Sequence, residues 1–137
     1  MKLDHVCIAV RSIDQAREKL CPMLGYSPRT AKVTNSRQQV VVQFLQKSGS
    51  VDLKLIEPSD GSSPLIDFIK KGGGLHHLCF QAEDGASAIQ SLCDNGARVV
   101  TQPQPGEAFD DNLISFLFLG FGLSIEIIDT DKRRSEH

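Results

Sequence analysis

The sequence predicts an α+β protein: two tandem βαβββ modules whose strands join into one open, cup-shaped mixed β-sheet. Three observations carry this. Residues recur at a constant spacing: Leu3, His5 and Cys7 match Leu75, His77 and Cys79 at an offset of 72 (77 minus 5). The same offset relates Ala16, Leu20 and Cys21 to Ala88, Leu92 and Cys93, and Leu53-Lys54-Leu55-Ile56-Glu57 to Ile125-Glu126-Ile127-Ile128-Asp129. One register held this far marks a duplication, which sets the architecture before any single element is read. Within each copy, short apolar runs bounded by glycine read as strands, and one stretch carries helical spacing.

Each copy opens with a strand, over residues 2–10 and 74–82. In the first, His5, Cys7 and Ala9 share one face while Val6, Ile8 and Val10 suit packing beneath a helix. In the second, His77 and Cys79 repeat the first face, and His76 is expected to point away from it. A helix follows, over residues 12–23 and 84–95. Ile13, Ala16, Arg17 and Leu20 give the spacing in copy one, with Ser12 as N-cap and Gly25 just past the end. Ala88, Ile89 and Leu92 form the second stripe, which Gly96 stops. Three strands complete each copy, over residues 27–33, 38–46 and 50–57, then 97–102, 112–119 and 122–129. Gly49, Gly120 and Gly122 mark the closing hairpins. The module boundaries are 1–58 and 74–137, with residues 59–73 as a linker in which Pro64 starts a short helix over 65–71. Together they make one domain.

A sheet with helices on one face leaves the other face to cover something. Lys54 and Glu126 stand among apolar neighbours on the face opposite to Leu53, Leu55, Ile125 and Ile127. Charges so placed need a partner or an aqueous cavity. The cup is therefore lined by His5, His77, Lys54 and Glu126, related in pairs by the repeat.

Composition narrows the class. A 40% apolar and 23% charged chain has the balance of a soluble globular protein. A net charge of -2 gives no reason to expect nucleic acid or an anionic membrane as partner. No apolar run reaches the roughly 20 residues of a membrane span, no signal-peptide pattern precedes the first strand, and a cytoplasmic location is expected. The basic cluster Lys132-Arg133-Arg134 reads as a solvated end. Four cysteines at positions 7, 21, 79 and 93 lack metal-site CxxC spacing and read as buried thiols. The triple glycine at 72–74 precedes a strand rather than a helix, which argues against a phosphate loop.

These residues carry a family resemblance. Leu3-Asp4-His5-Val6, Ile56-Glu57-Pro58 with Ser63-Pro64-Leu65 and Phe68-Ile69, Gly74-Leu75-His76-His77 and Ile125-Glu126 resemble the vicinal oxygen chelate superfamily. That superfamily includes glyoxalase I, bleomycin-resistance proteins and extradiol dioxygenases, and the similarity is greatest to its methylmalonyl-CoA epimerase branch. The resemblance implies a divalent metal (Zn, Mn, Co, Ni or Fe) on His5, His77 and Glu126. Two histidines and one carboxylate are also the facial set that leaves coordination positions open. The family's fourth ligand, an amide or acid, maps onto Lys54, whose ammonium has no lone pair to offer. Two further departures are Phe118-Leu119, where relatives carry His-Pro, and Gln43 in a strand where some epimerases place a carboxylate base.

The function expected is a metal-dependent isomerase or lyase acting on a small acyl or carbonyl compound through an enolate-type intermediate. Glu126 and Lys54 are its candidate acid/base residues. Lys54, Cys7, Cys79 and Gln43 are candidate substrate contacts. The alternatives are a metal-free small-molecule binding protein of the bleomycin-resistance type, with Lys54 paired to Glu126, and an extradiol-type dioxygenase. A homodimer is expected, because a single cup leaves sheet edges and outer helix faces to cover.

Overall fold

The computed structural model describes residues 1–109 and 112–129. The basic cluster at 132–134 lies outside the described residues. The elements run β1 (Lys2–Ala9), α1 (Ile13–Leu24), β2 (Ser27–Pro28), β3 (Val33–Asn35), β4 (Val40–Gln46) and β5 (Asp52–Pro58). After them come α2 (Leu65–Lys70), β6 (Gly74–Gln81), α3 (Gly85–Asp94), β7 (Arg98–Gly106), a 3-10 turn (Glu107–Phe109), β8 (Asn112–Gly120) and β9 (Leu123–Ile128).

The strands form one open mixed sheet in the order β2-β4-β5-β1-β6-β9-β8-β7, with β3 also on β4. β1 lies parallel to β5, and β6 parallel to β9, while β1 and β6 meet antiparallel at the centre. This is the repeat written in three dimensions: the strand order read outward from β1 matches the order read outward from β6. The copies are joined through their first strands.

The helices start and stop where the sequence directs. Ser12 caps α1 by accepting from the Gln15 backbone N–H, and Gly25 ends it in the left-handed region. Asp84 caps α3 by accepting from Ser87. Ile13 and Leu20 of α1 pack against Leu45 and Leu55, joined by Ile8 and Val10. Leu117, Ile125 and Ile127 play that part against α3 with Ala88, Ile89 and Leu92. Val6, expected with the first set, is half-buried and lies outside it.

Two elements depart from expectation: β7, expected to end at residue 102, runs on to Gly106, and an early strand divides. The strand expected over 27–33 is split into β2 and β3, both pairing with β4. Pro28 has no N–H to give a ladder, and the Phe44 N–H bonds the Thr30 Oγ1 instead of a backbone carbonyl. The strand bends around that side-chain contact.

The third cluster lies on the opposite, concave face. It joins Cys7, Ala9, Val42, Phe44, Cys79 and Ile128 to Leu65 and Ile69 of α2 and to Ala108 of the 3-10 turn. A clasp between the copies holds this side: Ser36 of the β3–β4 turn donates its N–H (2.7 Å) and its Oγ–H (2.6 Å) to Glu107 Oε1.

Candidate active site

The floor of the cup is two rows of side chains crossing the centre of the sheet. Phe44, Lys54, Cys7 and His77 lie side by side on β4, β5, β1 and β6. Phe116, Glu126, Cys79 and His5 do so on β8, β9, β6 and β1. Adding 72 to each member of the first row, or subtracting it for His77, gives the second. The rows are copies of each other in every position but one, where Lys54 faces Glu126.

Three of the expected site residues converge on one atom of a fourth. Glu126 Oε1 lies 3.2 Å from His5 Nε2, 3.4 Å from His77 Nε2 and 3.4 Å from Lys54 Nζ. The centre is dry: His5 and Glu126 are 0% exposed, Lys54 3% and His77 4%. Phe44 stands edge-on to His5 at 5.1 Å and Phe116 edge-on to His77 at 5.2 Å, so each copy walls the other's histidine.

Burial opposes every charge here, and pairing decides which survive. Burial pushes against ionisation of Glu126, yet the Lys54 ammonium and the two histidines overcome it and hold the carboxyl well below its usual range. Burial would likewise depress Lys54, but the Glu126 carboxylate outweighs it and the pKa stands above the ordinary lysine value. The buried state is thus an ammonium–carboxylate pair. His77, with its desolvation only partly offset by Glu126, falls to about 4 and is neutral. Cys7 is pushed up to about 12 by burial, against the pull of Lys54, and Cys79 is raised further by burial and by Glu126. Both thiols are protonated wall residues on the cup face.

Two β-bulges bring in residues that strand alternation assigns elsewhere. Between β1 and β6, Cys7 pairs with His77 and Ile8 with Leu75, so His76 is the extra residue. It does not point away from the centre. Its Nδ1 lies 2.8 Å from His77 Nδ1, and its ring stands edge-on to Phe68 of α2 at 4.8 Å. The other bulge falls where Leu3 pairs with Phe80 and His5 with Cys79, leaving Asp4 extra. Asp4 Oδ2 lies 2.8 Å from His5 Nδ1. Asp4 and His76 are themselves 72 apart, so each copy uses a bulge to set a polar group behind its own histidine.

Gln43 is the candidate that the structure does not bring to the cup. It lies on the helix side of β4, where it accepts from Arg17 Nη1 at 2.6 Å and donates to the Thr30 carbonyl at 2.9 Å. Its neighbours Val42 and Phe44 take the cup face, and parity along the strand turns Gln43 the other way.

His5, His77 and Glu126 each offer a ligand atom, all within 4.8 Å of one another, a group that can hold a metal ion. Glu126 Oε2 is buried without a hydrogen-bond partner among the described residues, as a second donor oxygen would be. What does not fit a divalent ion is the fourth position: Lys54 Nζ already stands at the same Oε1 as the two imidazoles, an ammonium with no lone pair to share.

A cup of two βαβββ repeats with paired first-strand histidines and a last-strand glutamate defines a class of protein rather than one activity. Residues 4–118 match the glyoxalase/bleomycin resistance protein/dioxygenase superfamily, and the chain belongs to it. It is 39% identical over 107 residues to an uncharacterised protein of Bacillus subtilis, covering 77% of this chain and 75% of that one. To the ethylmalonyl-CoA/methylmalonyl-CoA epimerase of Cereibacter sphaeroides it is 31% identical over 106 residues, 76% of this chain and 78% of that one. The crystal structure of methylmalonyl-CoA epimerase from Mycobacterium tuberculosis superposes with a TM-score of 0.82 at 30% identity, over 93% of this chain and 86% of that one.

Proposed function

We propose that this chain is an epimerase-type isomerase that moves the acidic proton next to the carbonyl of a small acyl thioester. The single observation that carries this is the convergence of Lys54, His5 and His77 on Glu126 Oε1 in a dry cup, in a chain 31% identical to an acyl-CoA epimerase. The chemistry needs positive charge where an enolate oxygen develops and a group that can take a proton. Lys54 supplies the charge. When its ammonium turns from Glu126 to the substrate oxygen, Glu126 loses the cation that holds its pKa down and becomes more basic, with Oε2 as the receiving oxygen. Cys7 and Cys79 act as uncharged walls. The divalent metal expected from the resemblance has its three protein ligands in His5, His77 and Glu126, and its place is contested by Lys54. Four free thiols support a cytoplasmic location.

The test is exchange of the α-proton in D2O, read by NMR or mass spectrometry, with methylmalonyl-CoA, ethylmalonyl-CoA and simple 2-methylacyl thioesters. Exchange with at least one, reduced about 100-fold or more in Glu126→Gln, is the expected result. Tight binding without exchange points to the second reading, a binding protein, which the complete burial of His5 and Glu126 favours. Neither exchange nor binding removes both.

We further infer a homodimer, supported by exposed Val100 on the edge strand β7 and by Leu75 and Phe121. Sedimentation velocity at micromolar concentration should give a species of twice the 15.0 kDa chain. A single species at the chain mass excludes it. Among the described residues no helix is long and apolar enough to cross a membrane.

A further inference from the structure

We propose that the Lys54 ammonium is the resident cation of this cup: it takes the role of a divalent metal on the His5, His77 and Glu126 donors and presents its N–H groups to the anionic oxygen of the ligand. The part concerning the ligand rests on the isomerase reading. Exclusion of the metal rests on the geometry alone.

Three observations point the same way. By the repeat, Lys54 is the counterpart of Glu126, so the first copy places a cation at the position where the second places a metal-type donor. The ammonium is not turned to solvent; it is buried 3.4 Å from the same oxygen that the two imidazoles approach. In the third, the buried Glu126 carboxylate takes its charged partner from Lys54, 3.4 Å away, while its Oε2 has no hydrogen-bond partner among the described residues.

The electrostatics then decide against a second one. The Lys54–Glu126 pair is neutral, and a divalent ion on the three donors adds two positive charges beside a buried ammonium. Even screened as at a protein surface, repulsion at about 4 Å lowers metal affinity by at least about 1000-fold. In a centre this dry the penalty is larger.

The test has two arms. In the first, metal is counted by mass spectrometry in protein purified without chelator. Mn(II), Co(II) and Zn(II) are then titrated calorimetrically into the wild type, Lys54→Gln and Lys54→Met. The wild type is expected to hold no stoichiometric metal. Both variants should gain one site at least about 1000-fold tighter, and adding Glu126→Gln should abolish it. Two variants are used so that poor folding of one does not decide the matter, with circular dichroism checking each. A wild-type equivalent of metal that is lost in His5→Ala overturns the proposal. So does a folded pair of lysine variants that gain no metal, since Lys54 would then not hold the metal's place.

The second arm is α-proton exchange with and without EDTA. Exchange that survives EDTA supports the proposal, and exchange abolished by EDTA and restored by metal overturns it. Absence of exchange altogether removes the isomerase reading and leaves the metal titrations, which contain no substrate, fully readable.

Discussion

Lys54 and Glu126 occupy equivalent positions of the two repeats and meet at the centre of the sheet, Nζ 3.4 Å from Oε1, both out of reach of water. Neither charge can be removed alone without stranding the other. Glu126→Gln and Lys54→Met are each expected to cost about 3–5 kcal/mol, because each leaves an unpaired buried charge. The double variant should cost less than the sum by several kcal/mol, since nothing charged is left unpaired. Urea unfolding of the four proteins measures the coupling, and additive costs would show that the pair does not interact.

Stability should have a plateau whose edges come from the same cluster. His77 has its pKa depressed from 6.5 to about 4, so the unfolded chain binds the proton more readily. Its contribution is complete above about pH 6.5 and is lost as pH falls toward 4, by about 3 kcal/mol in all. Glu126, also depressed, adds to the loss below its ordinary value of 4.5. Lys54 is raised, so its contribution holds below 10.5 and fades as pH rises beyond that. Denaturant midpoints from pH 4 to pH 8 check the acid edge. A His77→Gln protein should show a shallower decline between 6.5 and 4.

The four thiols should divide into two classes. Cys7 and Cys79 are fully buried, with Cys7 raised to about 12, so almost no thiolate is present at neutral pH. Cys21 of α1 and Cys93 of α3 are half-buried. Titration with an aromatic disulfide at pH 8 should find the latter two reacting in native protein and all four after denaturation. Fast modification of Cys7 in the native state would show that the cup opens readily.

Gly73 is expected to tolerate nothing larger. Its φ is +67°, and a Cβ there would meet the Ala9 carbonyl oxygen at 2.8 Å. Gly73→Ala combines backbone strain with a clash against the end of β1 and should cost about 2–3 kcal/mol. Thermal unfolding reads it directly. An unchanged midpoint would mean that the α2–β6 joint moves freely.

Much of this was legible because duplication wrote it twice. His5 and His77 identify one another at the offset of 72, and Lys54 and Glu126 stand out as charges among leucines and isoleucines. The bulges were not legible. A bulge is one unpaired residue, and nothing in Leu75-His76-His77 distinguishes regular alternation from a strand that slips by one against Cys7 and Ile8. The sequence therefore separated His76 from His77, while the backbone sets them side by side. The one available signal was that Asp4 and His76, both polar and both preceding a cup histidine, also stand 72 apart. Gln43 failed for a different reason. β4 reads Val-Val-Val-Gln-Phe-Leu-Gln, apolar on both faces because α1 covers one and the cup the other, so its pattern does not say which way a lone polar residue turns.

The single mismatch between the two floor rows gives a symmetric vessel a direction. Phe44 and Phe116, His5 and His77, Cys7 and Cys79 would receive a guest equally well either way round. Within the two rows, Lys54 and Glu126 tell the two poses apart. A guest carrying charge at one end and none at the other is therefore held in one of the two poses and not in its twofold mate.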